Sequence, residues 1–278
     1  MLFKLFPAVF EISRPVNVLI AILSIFVAVV ITGSVQPLFK VISACISGGI
    51  IMAGSNTIND YFDLDIDRVN RPERPLVKGN LTPLQALTIS WIEFGVGCLL
   101  ALLINISAFV IVLVVSGIII LYSFKLKRMP LLGNLAVSFS TAMAFIYGGV
   151  AVDRIQETFI PAVLAFFFHF GREIIKDLQD REGDSQGLAQ TFPLVYGEIV
   201  ALKTTTAIFL VLGIILPLPF LFDWYNGIYL LVTVVGIYPV LFYVTFSMWK
   251  NRSSKNLGFL SNLLKADMLV GLLAIYLG

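Results

Sequence analysis

Charge is scarce in this chain. Of its 278 residues only 13% are Asp, Glu, Lys or Arg, and histidine occurs once. Soluble domains carry about a quarter charged residues, so so little charge beside 58% hydrophobic residues excludes an ordinary water-soluble fold. The two cysteines, Cys45 and Cys98, both lie within apolar runs and give no support to a disulfide framework. One histidine with no second histidine or cysteine beside it offers no transition-metal site. No small-residue cleavage site stands out in the first apolar stretch, which follows Lys4, Glu11 and Arg14, so that stretch reads as a membrane span and not as a signal peptide. The net charge of +2 says little, and no nucleic-acid partner is expected.

What the chain has instead is repeated apolar runs of about 20 residues, long enough to cross about 30 Å of hydrocarbon as helix. Nine are predicted, near 16–33, 39–58, 84–104, 107–122, 131–150, 158–175, 198–221, 227–248 and 257–277. The runs are continuous and not alternating, so helices are expected rather than a barrel. The fold class expected is all-α: a single domain over 1–278, a polytopic bundle of about nine helices around a central cavity. That cavity opens to the cytoplasmic side and is capped by the loops after the second and sixth spans.

Lysine and arginine orient it. With the N-terminus in the cytoplasm, the inner segments hold Lys4 and Arg14, then Arg68, Arg71, Arg74 and Lys78, then Lys125, Lys127 and Arg128. Lys176 and Arg181 follow, with Lys250, Arg252 and Lys255 in the last inner segment. The other side shows chiefly Lys40 and Arg154. This asymmetry predicts a multi-pass cell-membrane protein with a cytoplasmic N-terminus and an outer C-terminus. An even number of crossings separates the second span from the sixth, so both predicted ends face the cytoplasm.

Both of those spans end in acid. In the first segment Asn56, Asn59, Asp60, Asp63 and Asp67 recur at helical intervals of three and four, making one polar stripe. In the second, Glu173, Asp177, Asp180 and Asp184 do the same, and both segments contain D-x-x-D-x-x-x-D. Stacked carboxylates repel one another and resist burial, so a counter-ion must be supplied. Hard oxygen donors select Mg²⁺ or Ca²⁺, and Mg²⁺ characteristically completes its shell with water and substrate phosphate. Solvated loop charge is the plain alternative, and it suits Asp65 and Glu182, which lie off the stripes. Two matching stripes in an apolar chain point to a metal-bridged diphosphate, because acids at membrane depth are costly and tend to be functional.

A departing diphosphate needs protein cations as well. Arg68, Arg71, Arg74 and Lys78 follow the first stripe, and Tyr122, Lys125, Lys127 and Arg128 occupy the fourth-to-fifth connection. Lys125 and Lys127 are the preferred pair, with topogenic charge the alternative for each. Arg14 and Asn17, at helical spacing near the cytoplasmic surface, suit an acceptor phosphate or a diphosphate; positive-inside anchoring and helix capping explain them equally well.

Asn59-Asp60-x-x-Asp63-x-x-x-Asp67 with Asp177-x-x-Asp180-x-x-x-Asp184 resembles the UbiA superfamily of intramembrane prenyltransferases, and Tyr122-Ser123-x-x-Leu126-Lys127-Arg128 is similar to that family's third signature. The resemblance covers the whole chain. It implies metal ligation by Asn59, Asp63, Asp67, Asp177, Asp180 and Asp184, with Mg²⁺ as cofactor. Lys125, Lys127, Tyr122 and Asp60 are implied as the catalytic set, and Arg14, Asn17, Asn56, Arg68, Arg71, Arg74 and Arg128 as substrate-binding residues. The segments NDYFDLDIDRVNRPERPL and REIIKDLQDREGD are similar to the archaeal branch that prenylates geranylgeranylglyceryl phosphate. This implies a prenyl diphosphate donor, geranylgeranyl above all, and a lipid-like acceptor. An aromatic acid or quinone precursor is the alternative acceptor, and Leu64, where a basic residue is expected in many aromatic-acceptor members, weighs against it.

The chemistry implied is diphosphate ionisation to an allylic cation in a dry pocket, where aromatic faces stabilise the charge. Tyr61, Tyr122 and Tyr147 are candidates among 23 Phe and 9 Tyr, most of which serve packing and anchoring. His169, four residues before Glu173, reads as a packing residue or a base; Glu93, Asp267 and Lys265 read as an interior polar contact or an interfacial group. A cation-coupled transporter is the rival from another class, but its acids belong near the bilayer midplane beside broken helices. No oligomeric state follows from the sequence.

Overall fold

The computed structural model describes the backbone of residues 2–186 and 190–278, and side chains except those of 2–5, 69–70 and 182–186. Among the described residues all regular structure is helical. Helix α1 (Leu2–Ile12) bends by 58° into α2 (Pro15–Val30). Pro15 supplies the reason: it sits at the first position of α2, where its missing N–H costs nothing, and it bars the preceding residue from continuing α1. Then come α3 (Leu38–Phe62), α4 (Leu64–Asn70), α5 (Pro83–Leu102), α6 (Ile106–Phe124), α7 (Leu132–Ala151) and α8 (Ile155–Gln186). The chain ends with α9 (Phe192–Tyr196), α10 (Glu198–Ile215), α11 (Leu218–Leu221), α12 (Gly227–Val232), α13 (Tyr238–Lys250) and α14 (Ser254–Leu277).

Eight helical stretches are long and apolar enough to cross a membrane, and the bent α1–α2 pair makes a ninth when counted as one. The protein is a multi-pass membrane protein, and the expected spans match these helices with ends shifted by a few residues. Two ends move most. Helix α3 runs on to Phe62 and α8 to Gln186, because the polar stripes that end the apolar runs continue the same helices.

By their contacts the residues expected to form one domain divide into two compact units, 1–126 with 143–158 and 127–142 with 159–278. In the first unit α3 is central, packed by α2, α5 and α6. Ile25, Ala44, Ile51, Ile58, Phe94, Ala101 and Val112 form its buried core. Without a hydrophobic driving force between helices in lipid, close approach does the work, and small residues permit it. A Cβ on Gly54 would lie 3.2 Å from Cβ of Glu93, and one on Gly148 would lie 2.7 Å from the carbonyl oxygen of Ile25. In the second unit α8 buries Ile174, Ile175 and Leu178, and Gly171 makes room for the ring of Phe209 on α10. A π-helical turn, Thr233–Ile237, joins α12 to α13 within one span, and α14 packs along it.

Candidate functional site

The first acidic stripe lies where α3 hands over to α4. Asp63 ends one helix and begins the other, its N–H bonding the Asn59 carbonyl at 3.0 Å and its own carbonyl accepting from Asp67 N–H at 2.8 Å. The break therefore keeps the four-residue rhythm, and Asn59, Asp63 and Asp67 stay on one face. Asp60, Asp63 and Asp67 are all buried, at 2%, 3% and 4% exposure. Carboxylates so buried demand partners. Asp60 receives Arg14 and Arg74, the latter at 2.9 Å, and Arg74 also pairs with Asp67. Asn59 Nδ2 donates to Asp63 Oδ2 at 2.8 Å.

Arg14 reaches Asp60 because of the α1–α2 bend. Its backbone sits at φ +52°, left-handed and uncommon outside glycine, and the turn is held by polar contacts to α3. Asn56 Nδ2 donates to the Ser13 carbonyl at 2.8 Å, and Asn17 Nδ2 donates to Asn56 Oδ1 at 3.3 Å. Arg74 is held from below. Leu76 and Leu81 of its loop are buried with Ala8, Ile12 and Ala86, so an apolar cluster of α1, α5 and the loop fixes where the guanidinium can point. Arg71 caps α4, its N–H on the Asp67 carbonyl at 2.8 Å. Arg68 points elsewhere: it pairs with exposed Asp65 at 2.9 Å, off the stripe, and Lys78 is exposed.

The end of α6 comes to the same place. Phe124 meets Phe62 with ring centroids 5.7 Å apart, and Phe62 meets Tyr61 edge-on at 5.2 Å. Lys125 directly follows Phe124, is exposed and caps α6, while Tyr122 is half-buried one turn back. Lys127 and Arg128 continue in a short 3₁₀ turn, Leu126–Arg128. Lys127 is half-buried and Arg128 exposed.

In the second unit, Asp177 accepts from Asn134 Nδ2 on α7 at 2.8 Å, and Asp177 and Asp180 are half-buried. Asp184 lies outside the described side chains. Glu173, on the stripe by spacing, is buried and engaged by Lys176 at 2.8 Å and by Arg172 at 3.1 Å. Arg172 Nε further donates to the Ser261 carbonyl of α14 at 3.1 Å. Glu198, at the start of α10, takes Arg181 and, at 3.4 Å, Arg252. Asn134, Arg172 and Glu198 were not among the residues singled out from sequence. Asn134 alone carried a signal, an amide within an apolar run.

Among the described residues no three His, Cys, Asp or Glu side chains gather closely enough to hold a metal by themselves. The donors nonetheless fit Mg²⁺: buried carboxylate oxygens with an adjacent amide, one or two of which suffice when phosphate and water complete the shell. His169 is half-buried with its ring 6.3 Å from that of Phe168.

A relative from Methanopyrus kandleri named digeranylgeranylglyceryl phosphate synthase is 34% identical over 267 residues, 96% of this chain and 97% of its own. A solved structure of digeranylgeranylglyceryl phosphate synthase superposes with a TM-score of 0.79 at 28% identity, covering 99% and 98% of the two chains. A UbiA homologue from Archaeoglobus fulgidus bound to GPP and Mg²⁺ shares the fold, with a TM-score of 0.71 at 22% identity over 95% of this chain and 99% of that one. The family model for UbiA prenyltransferases matches residues 18–265, nearly the whole length over which the helices and both acidic segments extend; the chain belongs to the UbiA prenyltransferase family.

Proposed function

We propose that this protein transfers a geranylgeranyl group from its diphosphate to geranylgeranylglyceryl phosphate, forming an ether bond at a Mg²⁺-dependent site on the cytoplasmic face of the membrane. The observation that carries the reading is the first stripe. Three carboxylates are buried and two of them, Asp60 and Asp67, are met by the guanidiniums of Arg14 and Arg74, in a chain that aligns over nearly its whole length with a digeranylgeranylglyceryl phosphate synthase. Lys and Arg asymmetry supports the cytoplasmic assignment, and at the opposite end of the first unit Lys40 faces Asp153 at 3.9 Å and Arg154 faces Glu157 at 3.4 Å.

Asn59, Asp63, Asp67, Asp177, Asp180 and Asp184 are the residues that would hold the metal, and Mg²⁺ bound there draws charge from the diphosphate. The chain's own cations do the rest. Arg74, Arg71, Lys125 and Lys127 bind diphosphate oxygens and stabilise them as the allylic C–O bond breaks, both electrons leaving with the diphosphate. Tyr61, Phe62 and Phe124 pack edge to face beside the stripe and offer ring faces to the allylic cation. The acceptor hydroxyl adds to the allylic carbon through an oxygen lone pair, forming the new C–O bond, and its proton passes to the released diphosphate. Arg14 and Asn17, held at the α1–α2 turn, are placed for the acceptor phosphate or the diphosphate.

The test is transfer of label from geranylgeranyl diphosphate to geranylgeranylglyceryl phosphate by protein purified into lipid nanodiscs with Mg²⁺, abolished by chelation. Alkylation of 4-hydroxybenzoate and not of the glyceryl phosphate overturns the acceptor. No transfer, with ion or solute flux in liposomes, overturns the enzyme.

A further inference from the structure

A cation already stands in the first stripe. A single nitrogen of Arg74, Nη1, lies 2.9 Å from Asp60 Oδ1 and pairs at the same time with Asp67 Oδ2. Asp60 Oδ1 is shared with Arg14. Both acids are almost fully buried, and the side chain of Arg74 is 20% exposed. One guanidinium nitrogen between two carboxylates from successive helices occupies the kind of position a bridging divalent cation takes. A metal ion reaching Asp67 must therefore displace Arg74 or share the acid with it, and a displaced guanidinium in a low-dielectric setting needs a new anion.

The geometry assigns Arg74 a second role: it is the resting counter-ion of the metal site, exchanged from Asp67 to the diphosphate when metal and diphosphate load together. Asp60 is then a positioning residue that keeps Arg14 and Arg74 at the site throughout and acts through them. This inference rests on the reading that the stripe binds a metal diphosphate. Its consequence is coupling between the two ligands. Metal alone offers Arg74 no anion in exchange for Asp67; metal with diphosphate does, so each promotes binding of the other.

The experiment is Mn²⁺ binding followed by electron paramagnetic resonance at pH 8, on the full chain in nanodiscs, with and without inorganic diphosphate. Removing the competitor in Arg74→Gln is expected to tighten Mn²⁺ alone by about tenfold, the scale of one charged hydrogen bond. The same change is expected to weaken Mn²⁺ binding in the presence of diphosphate, so the effect reverses sign. A purely structural role would weaken both. Arg74→Lys, which keeps the charge on a compact, strongly hydrated ammonium but loses the planar fork's bidentate fit to phosphate, is expected to fall between and serves where the glutamine variant does not fold. Mn²⁺ alone binding either folded variant no more tightly than the wild type overturns the exchange. Wild-type protein that binds no Mn²⁺ even with diphosphate overturns the metal reading instead, so the two failures are told apart.

Discussion

Asp60, Asp63 and Asp67 in the first unit have the spacing of Asp177, Asp180 and Asp184 in the second, but the structure surrounds the two sets differently. In the first, the stripe acids themselves hold the nearby guanidiniums: Arg14 and Arg74 on Asp60, Arg74 on Asp67. In the second, the ion pairs described lie on neighbouring acids: Arg172 and Lys176 go to Glu173, and Arg181 goes to Glu198. The contact described for Asp177 is a neutral amide, Asn134. Equal spacing thus meets different described neighbours. A metal bound at Asp67 would have to rearrange the Arg74 pair, whereas the Glu173 and Glu198 pairs involve none of the three second-segment aspartates and can stay as they are.

The hardest blow to both segments alike is loss of a proposed metal ligand. Asp63→Ala or Asp180→Ala is expected to lower turnover at least about a thousandfold, the several kcal/mol of charge stabilisation a bound metal supplies, while the protein stays membrane-inserted and monodisperse. Retained turnover in both variants removes the metal site from the mechanism. Asn134→Leu separates the segments: it takes an outer hydrogen bond from Asp177 alone and is expected to cost about tenfold in kcat/KM. The steady-state rate against donor concentration reads it, and an unchanged value would make the Asn134 contact packing only. Smallest is Arg181→Gln. Its pair with Glu198 is part-exposed, so the loss is at most about 1 kcal/mol, or about 2 °C in Tm, with Mn²⁺ affinity unchanged. A changed Mn²⁺ affinity there would erase the contrast with Arg74.

Spans were legible because a continuous apolar run has one reading in a membrane, and they survive as α3, α5 to α8, α10–α11, α12–α13 and α14, with the bent α1–α2 pair a ninth when counted as one. The stripes were legible because three- and four-residue spacing is a property of the helix itself. What the sequence hid was tertiary. Nothing local says that Arg74 turns back on Asp60 fourteen residues earlier, or that Asn134 meets Asp177 forty-three residues on. Pro15 gives a local reason for the break between α1 and α2, but nothing local says that the resulting turn brings Arg14 onto Asp60. The π turn at Thr233–Ile237 had no signal in the apolar run around it.

The central claim is that both acidic segments serve one metal–diphosphate chemistry. Pulsed spectroscopy on Mn²⁺-loaded protein with a non-hydrolysable geranylgeranyl diphosphate analogue tests it most directly, by the hyperfine coupling of bound Mn²⁺ to phosphorus. The coupling is expected in the wild type and lost in both Asp63→Ala and Asp180→Ala. Full coupling retained in either variant, with the analogue still bound, would contradict the claim.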